Sequence, residues 1–157
     1  MKTDLYSYFP LVIILAVILA GSAALAGAGV PWMDAFMGLF FLVFALFKLL
    51  DVPGFVEGFG KYDLLTQQWR AYGYAYPFIE LLLGCAWLGG ISPGATAIVT
   101  LLVMNISVAG VLRALATGMD TRCACLGTLI NVPLSTVSLL EDVLMAVMAL
   151  LQLWMMA

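Results

Sequence analysis

The sequence predicts an all-α integral membrane protein with five transmembrane helices. Hydrophobic residues make up 65% of its 157 residues, charged residues make up only 10%, and the mean hydropathy is +1.14. Five segments are apolar over about the 20 residues that a helix needs to cross the hydrocarbon core. All six basic residues fall on one side of the membrane when the chain crosses it five times. A water-soluble domain is excluded, because such domains are typically about 25% charged.

Charged residues, prolines and glycines delimit the predicted spans within a single membrane domain. The spans cover about residues 9–30, 32–50, 71–90, 93–117 and 138–157. The first span resembles a signal peptide, because Lys2 precedes it, but its apolar run exceeds the ~7–15 residues of such a peptide. We therefore expect this span to be retained.

Local signals mark several helix ends. Asp51-Val-Pro-Gly ends the second span, since proline cannot continue a helix and glycine favours a turn. Ser92 followed by Pro93 is a favoured start for the fourth span. Gly118 is suited to end that span.

The segment 54–70 is too polar to span, but its aromatic residues share one helical face. Phe55, Phe59, Tyr62 and Trp69 lie near this face, which predicts an interfacial helix weakened by internal glycines.

The distribution of basic residues predicts the orientation, because Lys and Arg stay on the cytoplasmic side. The turns at 27–31 and 89–94 contain no basic residue. We therefore expect an inner-membrane protein with a cytoplasmic N-terminus, an external C-terminus and a cytoplasmic loop over 118–134. The basic residues are Lys2, Lys48, Lys61, Arg70, Arg113 and Arg122.

Composition also excludes some functions. The net charge is −3 and no two basic residues are adjacent, so nucleic-acid binding is not expected. Histidine is absent, which removes the commonest general base and any imidazole ligand. Thiols, thioethers and carboxylates remain for chemistry.

The most specific motif is Cys123-Ala-Cys125, in the loop 118–134. Two thiols one residue apart can close a strained disulfide or bind one soft ion such as Cu(I) or Hg(II). The alternative is two small loop residues without a role. Cys85, near the middle of the third span, is either a thiol relay or third ligand, or a small residue where helices approach closely.

Ionisable residues within the spans form a second candidate group, since charges in a membrane need a partner or a role. Glu80 lies about ten residues into the third span, and Lys48 or Arg113 is the expected partner. Glu141 and Asp142 suit the first turn of the last helix, where acids favour the helix dipole. All five residues belong to the cytoplasmic half of the predicted bundle.

Several short motifs together resemble the DoxX-like and methylamine-utilisation MauE family of redox-associated membrane proteins. The similarity covers roughly residues 34–151. It implies a four-helix bundle core of spans 2–5 plus an N-terminal helix, with distant likeness to the vitamin K epoxide reductase architecture. It also implies thiol–disulfide or electron-handling work, and some relatives are fused to heavy-metal-associated domains. The motifs are Phe47-Lys48-Leu49-Leu50-Asp51, Gly54-Phe55, Gly58-Phe59, Tyr62-Asp63, Ala75-Tyr76-Pro77-Phe78-Ile79-Glu80-Leu81 with Gly84, Cys123-Ala124-Cys125-Leu126-Gly127 and Glu141-Asp142.

Three functional hypotheses follow. In the first, Cys123 and Cys125 exchange with a thiol-redox protein, with Cys85 in relay. In the second, the same cysteines handle a copper or mercury ion delivered by a metal-carrying protein. In the third, the chain is a structural subunit of a membrane complex, and its short loops also suit a homo-oligomer in the lipid bilayer.

Overall fold

The computed structural model describes residues 9–118 and 136–157, and these residues form helices without any strand. Cys123 and Cys125 lie outside the described residues. The seven helices in the described ranges are α1 (Phe9–Gly27), α2 (Trp32–Leu49), α3 (Val52–Phe59), α4 (Leu64–Gln68), α5 (Arg70–Leu88), α6 (Pro93–Ala116) and α7 (Thr136–Met156).

The five long helices match the five predicted spans to within about three residues at each end. Four of them, α1, α2, α6 and α7, are long and apolar enough to cross a membrane, which confirms a multi-pass, all-helical membrane protein. Helix α5 has a similar length but is less apolar, because it carries Arg70, Glu80 and several tyrosines. The fifth crossing stays a prediction.

The predicted helix ends are mostly confirmed. Asp51 caps α3, where its carboxylate accepts a 3.1 Å hydrogen bond from the Gly54 amide. Gly118 follows α6 with a φ of +64°, the left-handed conformation that glycine adopts without strain. Ser92 does precede α6, but it has a φ of 42° and its side chain makes no capping hydrogen bond.

The core is built from two closely packed helix pairs, α2 with α5 and α6 with α7, while α1 packs on the outside of α2. Helices α2 and α5 approach through two glycines. A Cβ on Gly84 would lie 3.0 Å from the Gly38 carbonyl oxygen and 2.7 Å from Leu42. Small residues allow such close approach of membrane helices. Gly84, rather than Cys85, therefore serves the close packing in α5.

The segment 54–70 differs from the predicted single interfacial helix. It forms part of α3, a turn, and α4, which starts where the Asp63 carboxylate accepts a 2.7 Å hydrogen bond from the Thr66 amide. Phe55, Phe59 and Tyr62 are buried against the bundle, whereas Trp69 is exposed. The capping Asp63 breaks the helix, and most of the aromatic face packs on protein.

Candidate functional site

A small cavity lies between the two helix pairs, at the end of the bundle where α2 and α6 finish and α5 and α7 begin. Its volume is about 20 Å³, which is room for roughly one water molecule. Cys123 and Cys125 lie in the sequence between the end of α6 and the start of α7. Both helices reach the cavity about five residues from that connection, which corresponds to roughly 8 Å along a helix axis.

A buried ion pair forms one wall of the cavity. The Lys48 ammonium of α2 donates hydrogen bonds of 2.5 Å to both carboxylate oxygens of Glu80 in α5. Both side chains are almost fully buried. Lys48 lies in the C-terminal turn of α2, where the helix dipole favours a cation. The predicted pairing of Glu80 is thus confirmed for Lys48 and not for Arg113.

Two adjacent acids of α7 form the opposite wall. The Asp142 carboxylate accepts a 2.7 Å hydrogen bond from the Ser107 hydroxyl of α6. Glu141 is buried, and its Oε1 atom has no hydrogen-bond partner among the described residues. Lys48 is close enough to interact electrostatically with both acids. They lie in the second turn of α7 and face this cavity, so the predicted role in a first helical turn is wrong.

Aromatic rings close most of the remaining surface. The Lys48 ammonium lies 4.9 Å from the ring centroid of Tyr76 and 5.6 Å from that of Phe55. Both distances are within the range of cation–π attraction. The Tyr76 hydroxyl is also a hydrogen-bonding neighbour of Glu80. The other lining residues are Phe40, Phe44, Phe59, Tyr62, Met104 and Val111.

The structure brings together four of the five predicted charged residues, Lys48, Glu80, Glu141 and Asp142. Arg113 instead lies on the surface, where it donates a 3.3 Å hydrogen bond to the Gln67 side chain.

Cys85 does not line the cavity, and its side chain is exposed on α5. The sulfur-containing side chain that does line the cavity is that of Met104, which is buried. Within the described ranges, no group of three or more Cys, Asp and Glu side chains has a spacing that could hold a metal ion.

Sequence reasoning missed Ser107 and the aromatic lining. A lone serine in an apolar helix carries no signal beyond its polarity, and the aromatic residues of α3 had the spacing of an interfacial helix. It also missed Asp34, a buried acid at the start of α2, far along that helix from Lys48. Its Oδ1 atom has no hydrogen-bond partner in the described part of the chain.

The fold and the cavity define a class: a multi-pass helical membrane protein with a buried, acid-rich cavity at one end of its bundle. The chain belongs to the MauE family, because the family model for methylamine utilisation protein MauE matches residues 11–155. The match supports the MauE part of the resemblance, and the DoxX-like part stays a prediction. No curated protein and no solved structure matches the chain.

Proposed function

We propose that the protein is a membrane thiol-redox protein in which Cys123 and Cys125 exchange electrons with a partner protein. The observation that carries this proposal is the convergence of the family-like motifs on one place. Lys48, Glu80, Glu141 and Asp142, which belong to three separate motifs, all line the cavity at the end of the bundle where α6 finishes and α7 begins, and the CxC motif lies between these two helices in the sequence. The family membership supports the same conclusion.

The exchange reaction needs only the two thiols and a partner disulfide. The thiolate of one cysteine attacks a sulfur of the partner disulfide, which forms a mixed disulfide and releases one partner thiolate. The second cysteine then attacks the mixed disulfide, closes the Cys123–Cys125 bond and releases the second partner thiolate. Two electrons pass to the partner, and the two partner thiolates take up the two protons that the CxC thiols have lost. The reverse reaction oxidises the partner.

Cys85 is left out of this proposal, although the sequence makes it a candidate relay. Its side chain is exposed on α5 and does not line the cavity. A Cys85→Ser variant therefore provides a matched control for the loss of one thiol.

Trapping of the mixed disulfide tests the redox proposal. In a Cys125→Ser variant, the remaining Cys123 should accumulate a reductant-sensitive adduct with the partner, visible by non-reducing electrophoresis and mass spectrometry. Cys85→Ser should retain normal exchange. Full function in a Cys123→Ser, Cys125→Ser double variant would contradict the proposal and favour a structural subunit.

The predicted orientation is tested with the same cysteines in a Cys85→Ser background. A membrane-impermeant thiol reagent should not label Cys123 or Cys125 in intact cells but should label them in inverted membrane vesicles. Labelling from outside would reverse the proposed topology, in which α5 is the third of five spans.

One observation favours a second function, the handling of a soft metal ion by the same cysteines. The buried thioether of Met104 lines the cavity, and thioether sulfur is a preferred donor for Cu(I). Under this proposal the cysteine variants lose Cu(I) or Hg(II) binding, and no mixed disulfide accumulates. Thiol titration of the purified protein with and without each metal separates the two functions.

A further inference from the structure

The cavity contains more negative than positive groups. It is lined by three carboxylates, those of Glu80, Glu141 and Asp142, and by one amine, that of Lys48, which gives a formal charge of −2 when all four are ionised. Unbalanced charge inside a membrane bundle is costly. Lys48 donates both of its described hydrogen bonds to Glu80, so the two acids of α7 have no comparable cation among the described residues.

One buried acceptor atom in the cavity lining lacks a partner among the described residues. Glu141 is 9% exposed and lines the cavity, yet its buried Oε1 atom accepts no hydrogen bond from any described residue. A buried polar atom without a partner costs about 1–3 kcal/mol, and more when the group is charged. The free oxygen and the adjoining space together indicate that a hydrogen-bond donor belongs in the cavity.

We propose that the cavity binds one water-sized monovalent cation of the ammonium class, with the Glu141 carboxylate as its principal acceptor. A neutral water would supply a hydrogen-bond donor but would leave the excess negative charge. The volume of about 20 Å³ admits a particle of that size and excludes larger organic cations. This site is independent of the thiols and goes beyond the proposed redox function.

The lining suits an ammonium-type ion in particular. Aromatic faces attract such cations, and the Lys48 ammonium already shows this mode of binding in the same cavity, where it contacts Glu80 and lies over Tyr76 and Phe55. A second ammonium between Glu141 and the neighbouring rings repeats that arrangement with groups from the other helix pair.

Polar groups from each surrounding element line the cavity together with Glu141. The charged ones are Lys48 of α2, Glu80 of α5 and Asp142 of α7, and the hydroxyl groups come from Tyr62 between α3 and α4, Tyr76 of α5 and Ser107 of α6. Binding is therefore expected to require ionised acids and to weaken when the pH is lowered enough to protonate them.

The test measures thermal unfolding of the full-length protein in detergent micelles at one pH and one ionic strength. Ammonium chloride should raise the unfolding temperature in a saturable manner, since a ligand that binds only the folded state stabilises it. Tetramethylammonium chloride, which has the same charge but is too large, should not. Glu141→Gln should weaken the apparent affinity for ammonium at least tenfold, whereas Glu57→Gln, an exposed acid of α3, should leave it unchanged.

Three results would overturn the inference: no saturable effect of ammonium, an equal effect of tetramethylammonium, or unchanged affinity in folded Glu141→Gln. The cation site would likewise be rejected if the unmodified protein shows no ammonium binding and Glu141→Gln changes only the pH dependence of stability. Simple protonation of Glu141 would then account for its burial. The size comparison uses the unmodified protein, so it remains decisive if Glu141→Gln does not fold.

Discussion

Replacement of Lys48 by Met removes the one cation from a cavity lined by three acids. The change keeps a long unbranched side chain but removes two hydrogen bonds to Glu80 and the contacts with the rings of Tyr76 and Phe55. Loss of one partner from a buried ion pair costs about 3–5 kcal/mol, because the other charge is left buried and uncompensated. We expect the Lys48→Met variant to lose a free energy of unfolding in this range.

The reciprocal change should be milder. In Glu80→Gln the amide keeps the shape and a hydrogen-bonding oxygen, and Lys48 retains its electrostatic interaction with Glu141 and Asp142. A loss of about 1–3 kcal/mol is expected for weakening one charged hydrogen-bonded contact. In the Lys48→Met, Glu80→Gln double variant, the loss should be smaller than the sum of the single losses, because the two residues are in contact.

These free energies are measured by reversible unfolding of the purified protein in mixed detergent micelles, followed by tryptophan fluorescence. Lys61→Met is the matched control, since Lys61 is exposed at the same end of the bundle and should change stability by no more than about 0.5 kcal/mol. The reasoning is refuted if Lys48→Met costs no more than this control, or if Glu80→Gln is the more damaging of the two.

Two further predictions concern the segment 54–70, whose residues Phe55, Phe59 and Tyr62 line the cavity. A Cβ at Gly110 would lie 2.8 Å from the Tyr62 carbonyl oxygen, so Gly110→Ala should lower the free energy of unfolding by about 1–3 kcal/mol. Gly27→Ala, which has open space around it, should be close to neutral. Equal effects of the two variants in chemical unfolding would contradict the packing. Burial raises the pKa of the Asp63 carboxyl above its ordinary value of 3.8, despite its hydrogen bonds with Thr66. The folded state therefore holds this proton more tightly, and the resulting stability is lost as the pH rises from about 4 through the raised pKa. Asp63→Asn keeps the helix cap and should remove this part of the pH dependence in unfolding measured across the same pH range; an unchanged profile would count against it.

The sequence by itself determined the fold class and the positions of the long helices. Apolar runs of about 20 residues, bounded by residues such as Asp51 and Gly118, are local features, and the hydrocarbon core restricts spanning segments to few structures. The sequence also pointed to Lys48 as a partner of Glu80, because a carboxylate at that depth needs a cation and few were available within reach. Those predictions depend only on local geometry and on the free-energy cost of placing a charge within the membrane.

Tertiary structure decided which residues share the site. The aromatic face of Phe55 and Phe59 has the same period whether it meets lipid or protein, so its burial over the cavity could not be read from spacing. The roles of Glu141 and Asp142 likewise depended on the rotation of α7, since acids near a helix start satisfy the dipole in any orientation. Side chains from α2, α3, α5, α6 and α7 line one cavity, and that convergence follows from how the two helix pairs pack, which is a long-range property that no single segment of the chain encodes.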